Sequence, residues 1–157
     1  MVWAQPEDEP PPDLAPPPLK MLSKEEQKIL DGQNDVKKRV KISLELMDAR
    51  ILKAEKYKGE ESFKDTLAEL SGFHAILDNT LNFLVKSDNS NDKIDKRFIT
   101  FEIYLRKQIP RLEVIRREIP HRYGYHVGKL MKAVREARAK AVEPIFSDTV
   151  VPDKKKP

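Results

Sequence analysis

The chain has 157 residues, enough for one domain with a real hydrophobic core. Charged residues make up 36% of it, the formal net charge is +4 and cysteine is absent, which excludes disulfides, thiolate metal sites and cysteine nucleophiles. The glycines Gly32, Gly59, Gly72, Gly124 and Gly128 are too scattered for a phosphate-cradling loop, and no apolar run reaches the roughly 18 residues of a membrane span.

Residues 1–22 carry Pro6, Pro10, Pro11, Pro12, Pro16, Pro17 and Pro18 among the acids Glu7, Asp8, Glu9 and Asp13. Proline supplies no amide donor and the acids repel one another, so this stretch reads as a disordered, solvated leader that folding does not need. At its start, Val2-Trp3-Ala4 before Gln5 fits the small-residue rule of a signal-peptide cleavage site. Read that way, the chain is exported or periplasmic; read as an ordinary start, it is cytoplasmic.

A helical bundle is predicted over 23–146. Ser23-Lys24-Glu25-Glu26 has the form of a capping box opening a short helix, which Asp31-Gly32-Gln33-Asn34 interrupts. Asn34 or Asp35 then caps the first long helix, whose core stripe is Val36, Val40, Leu44, Met47, Ile51 and Ala54. Gly59 is placed to stop it in a left-handed conformation. The next helix keeps heptad spacing through Phe63, Leu67, Leu70, His74, Leu77, Leu81 and Leu84, up to the polar loop 87–91 with Asp92 as the following cap.

A third helix carries Ile94, Phe98, Phe101, Leu105, Gln108, Leu112, Ile115 and Ile119 on one face, and Pro110 inside it predicts a kink. If 92–143 were continuous, it would be about 75 Å long against about 35–40 Å for the first hairpin. A turn near Pro120 and a four-helix arrangement follow. The fourth stripe is Tyr123, Val127, Leu130, Val134, Ala137 and Ala141, with Pro144 as its stop and a loose tail over 147–157 containing Lys154-Lys155-Lys156. The stripes close in two registers: Leu67, Leu70 and His74 face Ile51, Met47 and Leu44, while Leu84, Leu81 and Leu77 face Ile94, Phe98 and Phe101. The fold class is therefore all-α, an antiparallel helical bundle behind a proline-rich leader.

Little in these stripes carries chemistry. His74 is an ionisable group in a core stripe, best read as a satisfied core histidine with Tyr104 as partner. Glu118-Ile119-Pro120-His121 has Glu-x-x-His spacing, but a di-metal bundle site needs two such pairs plus two further glutamates, and Pro120 interrupts this one. Gly124 and Gly128, four apart, allow close helix packing. No catalytic residue, metal ligand or cofactor is assigned, so a metal-binding helical-bundle enzyme is the weakest reading.

The charge distribution says more. Residues 1–22 hold four acids and one lysine, whereas 106–140 hold eleven basic residues against Glu113, Glu118 and Glu136, a net of +8. Such a surplus attracts an acidic protein, anionic headgroups or nucleic acid. Arg116, Arg117, Arg122, Lys129 and Lys132 cluster around the expected break and are the candidate partner-binding residues. No nucleic-acid module accompanies them, so a nonspecific nucleic-acid or polyanion binder is the alternative to a protein-binding surface.

Leu44-Glu45-Leu46-Met47-Asp48-Ala49-Arg50, then Ala54-Glu55, then Leu67-Ala68-Glu69-Leu70 resembles a helical hairpin of uncharacterised small exported bacterial proteins, over about residues 36–84. The resemblance implies export and brings no catalytic residues. The function expected is that of a non-enzymatic helical interaction or scaffold protein of the bacterial envelope, engaging a partner through 106–140.

Overall fold

A computed structural model describes residues 9–89 and 91–150. Val2-Trp3-Ala4, the acids Glu7 and Asp8, and Lys154 to Lys156 lie outside the described residues. Five helices follow one another: α1 (Lys24–Asp31), α2 (Val36–Gly59), α3 (Phe63–Ser87), α4 (Asp92–Glu118) and α5 (His121–Val150). The protein is all-helical, but among the described residues the count is five rather than the four predicted. The short capped segment ahead of the bundle is a helix in its own right, holding Leu30 fully buried and packing on α2. None of the helices among the described residues is long and apolar enough to cross a membrane.

Local chemistry explains most helix ends. Ser23 Oγ accepts from the Glu26 amide at 3.1 Å, and Glu26 Oε1 accepts from the Ser23 amide at 2.9 Å, closing the capping box of α1. Asp35 caps α2 through the Lys38 amide. Three expected ends move. Gly59 remains helical, and the left-handed residue of the α2–α3 turn is Glu61, at φ 58°. The chain needs two further residues to reverse before Ser62, whose amide bonds back to Tyr57 O. Asn91, not Asp92, caps α4, its side-chain oxygen accepting from Lys93 at 2.7 Å. Pro144 lies inside α5 without ending it. A proline removes one amide bond, while buried Ala141 and core-packed Ile145 hold the helix on either side. Residues 147–150, expected in a loose tail, belong to this helix.

The expected turn at Pro120 is present. Ile119 is extended at φ −118° and ψ 157°, and the amides of Tyr123 and Gly124 both bond to Pro120 O at 2.9 Å. Gly124 lets the helices approach closely here: a Cβ at that position would stand a tight 3.2 Å from the Arg116 carbonyl of α4. Tight reversal at this point makes α4 and α5 an antiparallel hairpin.

The two closest helix pairs are α2 with α3 and α4 with α5, and contacts of α3 with α5 and of α2 with α4 join the hairpins. Arg39 donates to Asn79 at 3.1 Å and lies 4.1 Å over the Phe83 ring, and Arg50 donates to Glu69 at 3.1 Å. These crossings match the register that opposes Leu67 to Ile51 and Leu70 to Met47. By contrast, α3 and α4 touch sparingly despite being consecutive, so the second expected hairpin is not a neighbouring pair. Its residues Leu77, Leu81, Leu84, Ile94, Phe98 and Phe101 still share one core, which α2 and α5 close from the sides. Buried Ser43 and Thr80 bond to the carbonyls of Arg39 and Ile76, four residues back, so these hydroxyls cost the core little.

Residues 9–20 also depart from expectation. They lie against the bundle: Ala15 is 2% exposed, its amide donates to Arg122 O at 3.0 Å, and its carbonyl accepts from His126 Nε2 at 2.7 Å. Ser71 Oγ donates to Leu19 O at 2.6 Å, and Lys20 pairs with Asp78 at 2.6 Å. Prolines leave these carbonyls free of any helix or sheet ladder, so side chains of α3 and α5 take them. Deleting the leader would remove these bonds.

Candidate anion-binding site

Part of the basic surplus of 106–140 is tied up in long-range ion pairs. Arg111 reaches from α4 to α2, donating to Glu55 at 2.6 and 3.1 Å, to Asp48 at 2.9 Å and to Gln108 at 3.0 Å. Hydrogen bonds to Glu55 and then Asp48 hold its guanidinium charged well beyond the usual arginine range. Glu102 of α4, only 6% exposed, takes Arg106 one turn on and Arg138 of α5 at 2.9 Å. Those bonds, Arg106 first, hold its carboxyl below the usual carboxylate range despite burial. Arg111 and Arg138 thus fasten helices together, while Arg106 pairs with Glu102 within α4.

Four other basic residues line a groove of about 280 Å³ between α4 and α5. From α4 come Glu113 and Arg116, paired at 2.7 Å. From α5 come Tyr125, Lys129, Lys132 and Arg135, with the side-chain-free Gly128 and the buried Met131 as floor. Lys129 Nζ stands 5.3 Å from the Tyr125 ring centroid. Lys129, Lys132 and Arg135 are exposed, so three cations on one helix face the same opening with Arg116 opposite.

Of the five predicted residues, the structure brings together Arg116, Lys129 and Lys132. Arg117 is exposed outside the groove, and Arg122 is drawn to the other side of the turn, its guanidinium 5.0 Å from the Tyr123 ring. Proximity to Pro120 in sequence misleads here, because neighbours at a helix end point about 100° apart. Arg135 was missed; the spacing Tyr125, Lys129, Lys132, Arg135 along one helical face carries its signal.

The Glu-x-x-His spacing is split by the turn. Glu118 ends α4 and pairs with Lys58, while the ring of His121, on α5, donates to Glu9 O at 3.2 Å. Among the described residues, no group of three His, Cys, Asp or Glu side chains converges as metal ligands would.

His74 does not meet Tyr104 as expected. Its Nε2 lies 3.7 Å from Asp78 Oδ1 on its own helix, and the ring is half-buried beside the docked leader. Tyr104 sits instead near Asp48 and Arg111, and burial, then Asp48, pushes its phenol up. Burial lowers the pKa of His74 below 6.5, with Asp78 opposing and Lys20 adding to the shift. The unfolded chain therefore takes up this proton first. The stability His74 contributes is whole above about pH 6.5 and declines as pH falls through its folded value. The urea midpoint is expected to drop between pH 7 and pH 5, and less so in His74→Gln. An equal drop in that variant would assign the dependence elsewhere.

No protein-family model matches the chain, and neither do the curated proteins or the solved structures. The fold and groove define the protein as an all-helical bundle with a localised basic groove.

Proposed function

We propose that the protein is a non-enzymatic interaction module that engages an acidic segment of a partner protein through the α4–α5 groove. The observation that carries this reading is the convergence of Arg116, Lys129, Lys132 and Arg135 around Tyr125, with Glu113 as the one lining acid. At about 280 Å³ the groove is smaller than most cofactor or substrate pockets, and it suits one or two carboxylate side chains laid across a helix hairpin. Structural use of Arg106, Arg111 and Arg138 supports a compact site over a long basic track, which favours a protein partner over nucleic acid. The resemblance of the first hairpin to exported bacterial proteins supports a place in the bacterial envelope.

The test is binding of a fluorescent poly-glutamate peptide at low salt. Lys129→Glu, Lys132→Glu and Arg135→Glu together are expected to weaken binding at least about tenfold with the helical circular dichroism unchanged, since all three side chains are exposed. Arg117→Glu, outside the groove, is expected to change it little. Binding should weaken as salt is raised. Equal affinity in the triple variant would remove the groove from the reading. A strong preference for single-stranded nucleic acid over the peptide would replace the protein partner with a polyanion.

A further inference from the structure

We propose that the seam between α3 and α5 is a docking groove for extended proline-rich segments, occupied in cis by residues 14–20 and in trans by a proline-rich segment of a partner protein. This groove is separate from the basic one, and the inference does not rest on the function proposed above.

The recognition elements are visible in how the chain's own leader is held. Ala15 is read through both its backbone groups, by Arg122 O at 3.0 Å and His126 Nε2 at 2.7 Å, and Leu19 O is read by Ser71 Oγ at 2.6 Å. Between those points stand Pro16, Pro17 and Pro18, which have no amide hydrogen, so the groove need not supply acceptors there. Their fixed φ also means the segment loses little conformational freedom on docking. The ion pair of Lys20 with Asp78 sets direction, placing the basic end further along α3. At 2% exposure Ala15 is buried against the bundle, which favours a small apolar residue at that position.

The cis occupant fits this groove incompletely. Beside the strap an apolar space of about 430 Å³ remains between its prolines and Leu67, Ala68 and Tyr123. Leu19 stands at its rim but is 82% exposed and leaves it open. Ala15 also lies outside the main core cluster, which closes beneath the strap from residues of α2 to α5. The leader is thus a tethered, imperfect ligand on a bundle whose core does not include it. A partner segment with the same small residue and prolines, and an apolar side chain directed into that space, makes the same backbone bonds and buries more.

The test uses the full chain. A fluorescent peptide of residues 9–22 is titrated into wild-type protein and into full-length Ala15→Arg, whose strap cannot seat. The peptide is expected to bind Ala15→Arg at least about tenfold more tightly, because in the wild type the tethered copy competes at high effective concentration. The same peptide carrying arginine for its alanine is expected not to bind. Should Ala15→Arg fail to fold, full-length Asp78→Lys, which turns the pair with Lys20 into a repulsion, serves as the opened form. Equal affinity for wild-type and opened chains, or no binding to an opened chain, overturns the proposal. Concentration-dependent dimerisation of the wild type that the peptide competes away assigns the groove to a second copy and overturns the partner.

Discussion

Leu77→Ala is expected to destabilise the bundle by about 2–5 kcal/mol, read as a lowered urea midpoint with an unchanged slope. Leu77 is 1% exposed in the middle of α3 and shares the core cluster with the fully buried Phe73 and Ile76 of its own helix and Phe101 of α4. Val40 of α2, also 1% exposed, belongs to the same cluster. Four helices share this layer, and each is held by pairs elsewhere along its length, so the walls cannot collapse freely into the space three lost carbons leave. A cost below about 1 kcal/mol, the range of a surface change, would mean that the layer is looser than its burial indicates.

Arg50→Ala has the second-largest expected effect, about 2–3 kcal/mol, the scale of lost hydrogen bonds to a poorly solvated charge. The guanidinium of Arg50 donates to Glu26 of α1 at 2.6 and 2.8 Å and to Glu69 of α3 at 3.1 Å. All three side chains are under one-fifth exposed, so removing the arginine leaves two carboxylates poorly solvated and unpaired. Burial pushes the Glu26 carboxyl up, but the bonds from Arg50 and Ser23 together hold it below its usual value.

Loss of this junction should free α1 first, seen as faster amide exchange in Leu30 than in Leu77. Arg50→Lys is expected to recover only part, because an ammonium cannot make both forked bonds to Glu26. Gly72→Ala should push the Arg50 guanidinium off Glu26 and Glu69 at a smaller cost, since its Cβ would stand 2.5 Å from Arg50 Cζ but the guanidinium can shift. The two costs should then fail to add in the double variant. A cost below about 0.5 kcal/mol for Arg50→Ala would place the junction among ordinary surface pairs.

How much of this was legible beforehand follows the range of each interaction. The capping box at Ser23, the Asp35 cap, the break at Pro120 and the apolar stripes depend on residues within a turn or two, and they are plain in the sequence. The α2–α3 register was legible too, because a short turn leaves few ways to oppose two stripes. Which helix neighbours which was not. The face that α4 shows to α3 in a simple hairpin reading serves a core that α2 and α5 also enter, and periodicity records that a face is buried without recording by what.

The same limit governed the candidate site and the leader. Composition alone established a basic surplus in 106–140 and a proline-rich, acid-bearing start. Only the tertiary structure decided that Arg111 is consumed by Glu55 and Asp48, up to 63 residues away, and Arg138 by Glu102. It alone decided that Arg135 joins Arg116, Lys129 and Lys132, and that Ala15 finds its partners in Arg122 and His126. Net charge and proline content are sums along the chain, whereas pairing and docking depend on distances across it, and those distances are fixed only when the helices have packed.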